Sequence, residues 1–94
     1  LATNARTMGN YLMNLLENLK SRFNFITEIR GRGLLIAIEF DEDISARVLE
    51  KTNEAGILLN AVKPNALRLM PALNITTEEI TQGVERIEKA LTQL

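Results

Sequence analysis

In the first part of the chain, Ala5, Met8, Leu12, Leu15, Leu16 and Leu19 recur at helical spacing, while Asn10, Asn14, Glu17, Asn18 and Ser21 fill much of the opposite face. The pattern predicts an amphipathic helix from Thr3 to Arg22. Gly9 lies inside it and lowers helix propensity by roughly 1 kcal/mol relative to Ala, so it points to a close packing contact. The period then changes. Phe25 to Arg30 is short and rich in aromatic and β-branched residues, which favours a strand. Gly31-Arg32-Gly33 interrupts it, and two glycines one residue apart predict a bulge or a sharp bend. Leu34 to Phe40 is nearly all apolar apart from Glu39, as in a central strand covered on at least one face.

Asp41-Glu42-Asp43 stands ahead of Ile44, Val48 and Leu49 and reads as the first turn of a second helix, where acids meet the positive end of the helix dipole. A carboxylate metal cluster is the alternative, but no glycine-containing calcium loop follows. Gly56 is placed to end that helix. Ile57 to Asn60 reads as a third strand, Lys63-Pro64-Asn65 as a turn, and Ala66 to Met70 as a fourth strand stopped by Pro71. Thr76 and Glu79 have capping-box spacing, with Ile75 and Ile80 placed as the hydrophobic staple around it. Ile80, Val84, Ile87, Leu91 and Leu94 continue as one helical stripe. The expected fold is α/β of the α+β type: a small, mostly antiparallel sheet of three to four strands with helices on one face.

Composition narrows the function. The 94 residues suit one domain, and an apolar share of 46% is enough for a packed core. Eleven basic against twelve acidic residues give a net charge of −1, which argues against a nucleic-acid partner. The chain has no Cys and no His, which removes disulfides, thiolate or imidazole metal sites, and nucleophilic triads. No metal site is expected. No apolar run reaches the roughly 20 residues of a membrane span. The opening Leu1-Ala2-Thr3-Asn4 carries neither an initiator Met nor a signal-peptide pattern, so the expectation is a cytoplasmic piece of a longer chain.

Few residues carry chemistry. Gly31-x-Gly33 lacks the third glycine of a dinucleotide fingerprint and opens no helix. Lys20, Lys51 and Lys89 sit among polar helix residues and Lys63 in a turn, so none is expected to form a Schiff base. Arg68, between Leu67 and Leu69, falls on the strand face opposite those leucines. On a covered face its permanent charge would require an anion, and a guanidinium can hold a carboxylate through two parallel hydrogen bonds. A solvent-facing arginine, or one paired with Glu39, is the competing reading.

The run Glu28 to Phe40 (EIRGRGLLIAIEF) resembles the Arg-Gly-x-Gly-Leu strand of class III pyridoxal-phosphate aminotransferases. Gly56-Ile57-Leu58-Leu59-Asn60 resembles the segment that follows in that family, and Arg68-Leu69-Met70-Pro71-Ala72-Leu73-Asn74-Ile75-Thr76 resembles its Arg-x-x-Pro-[Pro/Ala]-Leu motif. The resemblance spans essentially the whole chain and is strongest to the acetylornithine and succinylornithine branch. It implies that residues 1–94 are the C-terminal small domain of a fold-type I enzyme whose missing N-terminal large domain carries the Schiff-base lysine and the cofactor-binding residues. It further implies that Arg68 binds the substrate α-carboxylate, that pyridoxal phosphate belongs to the full-length enzyme with none bound to this piece, and that the full-length enzyme is a homodimer. No catalytic, cofactor-binding or metal residue is assigned within the piece. The implied reaction moves an amino group between N-acetylornithine, or a related ω-amino acid, and 2-oxoglutarate in arginine biosynthesis. The alternative is a stand-alone α/β binding or interaction module without catalysis.

Overall fold

Leu12, Leu16 and Leu19 are almost completely buried, and they mark the stripe by which the first helix meets the sheet. A computed structural model describes residues 2–52 and 59–94. The element order is α1 (Ala2–Arg22), β1 (Ile26–Arg32), β2 (Leu35–Phe40), α2 (Ser45–Thr52), β3 (Leu59–Lys63), β4 (Ala66–Leu69) and α3 (Thr77–Thr92). The four strands form one antiparallel sheet in the order β1-β2-β4-β3. α1 lies against β1 and α3, while α2 packs on α3 and β3. The core consists of Ile36, Ile38 and Phe40 of β2, Leu67 and Leu69 of β4, and the inward stripes of the helices. Each such aliphatic side chain, once fully buried, contributes roughly 1.5–3 kcal/mol. No described helix covers the other face of the sheet, where Leu35 remains 54% exposed. The expected class of fold, a small antiparallel sheet with helices on one face, is the one found.

Several local expectations are corrected. β1 does not break at Gly31 but continues through Arg32. The irregularity in its pairing lies between Ile26 and Glu28 instead. Gly31 is a strand residue whose missing side chain leaves room for Ile36, since a Cβ there would stand 2.6 Å from Ile36 Cγ1. The bend is at Gly33, with φ +57°, the first residue of a two-residue hairpin turn that needs a positive φ.

Asp41, Glu42 and Asp43 do not open α2. They form an exposed bend before it, and the helix starts at Ser45 with no acid in its first turn. The Ser45 hydroxyl is turned inward instead, onto the Lys63 and Pro64 carbonyls. Tertiary hydrogen bonds thus set the start of α2, overriding the favourable placement of charge. Lys63 ends β3 rather than opening the turn, which is Pro64-Asn65. Gly56 and the first part of the expected third strand, Ile57 and Leu58, lie outside the described residues.

The start of α3 follows the expected chemistry. Thr76 Oγ1 accepts from the Glu79 amide at 3.2 Å, and the Glu79 carboxylate accepts from the Thr76 amide at 3.0 Å. Ile75 and Ile80 are both buried beside this box. The stripe Ile80, Val84, Ile87 and Leu91 is buried, but Leu94 lies beyond the helix end and is 37% exposed. The apolar stripe therefore stops one turn sooner than its spacing predicts.

Candidate functional site

β4 shows how alternation places a charge. Leu67 and Leu69 are fully buried under the helices, so the side chain between them, Arg68, must stand on the open face, and it is exposed there. Pairing in β2 and β3 sets its neighbours. Arg30 opposes Ala37, Ala37 opposes Arg68, and Arg68 opposes Asn60. These four residues form one row across all four strands, on the side away from the helices.

The two arginines of the row differ electrostatically. Arg30 Nη2 is 3.1 Å from Glu39 Oε2, and Arg30 Nη1 is 3.6 Å from Glu28 Oε2. Glu28 and Glu39 are direct cross-strand partners, an arrangement of like charges that Arg30 relieves. Among the described residues Arg68 has no ion-pair partner within 4 Å. The alternative pairing of Arg68 with Glu39 is therefore overturned, because Glu39 is held by Arg30. In this chain the face is open and Arg68 meets solvent. Its guanidinium can take a carboxylate through two parallel N–H donors.

Sequence reasoning singled out Arg68 but missed Arg30, Ala37 and Asn60 as its row. The signal was available in Gly33. Once the two-residue turn is placed at Gly33-Leu34, the register that pairs Arg30 with Ala37 and Glu28 with Glu39 follows.

Among the described residues, none fits as a seat for a pyridoxal cofactor. A Schiff-base lysine must be desolvated or otherwise activated. Lys51, Lys63 and Lys89 are exposed, and Lys20 is half-buried on α1, on the helix layer rather than on the face that carries Arg68. Gly33, the one described glycine with positive φ, is used by the hairpin turn and does not open a phosphate-binding helix. No cluster of metal-ligating side chains occurs among the described residues, and no helix of the described residues is long and apolar enough to cross a membrane.

An antiparallel sheet with helices on one side and exposed arginines on the other, of which Arg30 is paired with carboxylates of its own chain and Arg68 is not among the described residues, defines an α/β domain. Comparison with known proteins then gives the family. Residues 1–91 match the model of aminotransferase class-III, and the chain belongs to that family. It is 43% identical over 76 residues to the mitochondrial acetylornithine aminotransferase of Eremothecium gossypii, covering 81% of this chain and 18% of that protein. The fold superposes on the N-acetylornithine aminotransferase of Stenotrophomonas maltophilia K279a with a TM-score of 0.85 at 28% identity, over 97% of this chain and 26% of that one. It also superposes on an amine transaminase from an uncultivated Pseudomonas species, solved in its PLP-bound internal aldimine form, with a TM-score of 0.86 at 27% identity, over 96% of this chain and 23% of that one. The chain spans about a fifth of the length of the curated relatives it matches.

Proposed function

We propose that this chain is the C-terminal small domain of a longer aminotransferase, and that Arg68 binds the α-carboxylate of its amino-acid substrate. The observation that carries the reading is the contrast within one row of the sheet. Arg30 is neutralised by two carboxylates of its own chain, whereas Arg68 is exposed on the same face without a partner among the described residues.

A strand is a good mount for such a grip. Leu67 and Leu69 anchor the backbone on both sides of Arg68, and β2 and β3 hold it laterally. A positioned guanidinium fixes the substrate carboxylate and hence where the rest of the substrate, with its reacting carbon, lies relative to the reacting centre, which is a contribution of orientation. In a 2-oxo acid acceptor the held carboxylate adjoins the carbon that reacts; in an ω-amino donor it lies at the other end of the molecule from the amine, so there the grip sets the reach of the chain.

Membership of the family and similarity to acetylornithine aminotransferases support N-acetylornithine, or a related ω-amino acid, as donor and 2-oxoglutarate as acceptor. In this reading the rest of the enzyme holds pyridoxal phosphate, which supplies the electron sink when bound. The full-length enzyme is a homodimer, and the 94-residue piece alone is inactive.

The test is Arg68→Ala in the full-length enzyme. The expected result is a fall in kcat/KM of about tenfold to a hundredfold, the scale of losing charge-assisted hydrogen bonds. An unchanged kcat/KM would remove Arg68 from the site.

A further inference from the structure

We propose that Ala37 is the floor of the carboxylate seat, and that the size of this one side chain sets how closely the substrate anion can approach Arg68; this rests on the aminotransferase reading above. Ala37 is the cross-strand partner of Arg30 on one side and of Arg68 on the other. Opposed residues of antiparallel strands project on the same face with Cβ atoms roughly 5 Å apart. The two arginines therefore rise from backbones about 10 Å apart, two strand spacings, with a single methyl group between them.

The surroundings make that methyl a notch. Along β2 the neighbours of Ala37 on the same face are Leu35 and Glu39, both large. Arg30 is engaged by Glu28 and Glu39, which stand in the next row, so the space over Ala37 is left to Arg68. On the far side of Arg68, Asn60 is exposed on the same face. A flat carboxylate can lie over a methyl floor and face the guanidinium edge-on. The floor is apolar, so it does not compete with the anion for the Arg68 donors. A branched side chain would fill the gap, and an acidic one would take the guanidinium for itself.

The experiment uses the full-length enzyme. Ala37→Val and Ala37→Leu are expected to raise both the KM for the amino-acid substrate and the inhibition constant of propionate, a plain competing carboxylate, by roughly tenfold or more. Ala37→Asp should do the same through charge. Thermal midpoints should change little, because the substituted side chain faces the open side of the sheet. If Ala37→Leu fails to fold, Ala37→Val decides. Unchanged constants in the Ala37 variants, alongside a loss in Arg68→Ala, overturn the floor and leave the carboxylate role of Arg68 standing. Unchanged constants in Arg68→Ala as well overturn both.

Discussion

The backbone of Gly9 in α1 lies directly on the carbonyl of Gly33 at the tip of the β1–β2 hairpin. A Cβ at position 9 would overlap that carbonyl and come within 2.7 Å of its carbon. This contact ties the first helix to the turn that sets the register of Arg30 against Ala37, so a glycine on the helical side holds the geometry of the open face.

Gly9→Ala is therefore expected to destabilise the fold, although Ala is the better helix former by roughly 1 kcal/mol. The overlap is with backbone, which cannot swing aside as a side-chain end can, and overpacking of this kind costs about 1–3 kcal/mol. Denaturant titration of the variant checks it. A midpoint above that of the unsubstituted protein would show that the helix can shift away at no loss.

Thr76→Ala tests the start of α3. The substitution removes the acceptor for the Glu79 amide and one half of the capping box. A loss of about 1 kcal/mol in unfolding free energy is expected. Glu79→Gln keeps a side-chain acceptor for the Thr76 amide and should lose less. A larger loss in Glu79→Gln than in Thr76→Ala would mean that charge at the helix start, rather than the reciprocal hydrogen bonds, carries the effect.

The Arg22–Glu88 pair predicts a pH dependence. Arg22 donates to both Glu88 oxygens, at 2.8 and 3.0 Å, and joins the end of α1 to α3. These hydrogen bonds, with the guanidinium charge adding, hold the Glu88 carboxyl below its usual range. A carboxyl depressed in the folded state stabilises the protein above its unfolded pKa, near about 4.3, and that contribution disappears as pH falls through the lower folded value. The stability difference between the protein and Glu88→Gln should thus be present at neutral pH, begin to shrink below about pH 5, and close in stronger acid. It should also shrink in salt, because both partners are substantially exposed. A difference that stays constant into acid would separate the pair from any role in stability.

Arg68→Lys separates charge from shape at the proposed seat. Lysine keeps the positive charge but lacks the planar fork that matches a carboxylate. In the full-length enzyme its kcat/KM should lie between those of the unsubstituted protein and Arg68→Ala. Full retention by lysine would mean that the site needs a point charge only.

Much of the fold was legible in the residues because it rests on local rules. The helical period of Leu12, Leu16 and Leu19, the capping spacing of Thr76 and Glu79, and the alternation Leu67-Arg68-Leu69 each depend on neighbours a few positions away, and all hold in the structure. Where a local rule met a distant partner, the distant partner prevailed. The acids at 41–43 had the right charge for a helix start, yet α2 begins at Ser45, whose hydroxyl is bound to the Lys63 and Pro64 carbonyls. Leu94 continued the apolar stripe in sequence, but the core ends before reaching it.

By itself the chain's sequence determined the order of helices and strands, the amphipathic faces, and the placement of Arg68 opposite two core leucines, because periodicity ties a side chain's direction to its neighbours. Only the tertiary structure decided which strands lie side by side, and with them the row Arg30–Ala37–Arg68–Asn60 and the choice of Arg30 over Arg68 as the partner of Glu39. Pairing of this kind joins residues as far as 33 positions apart, Ile36 and Leu69, and in the row itself Ala37 and Arg68. It is settled by how the helices and strands close over one shared core, which no short stretch of residues contains.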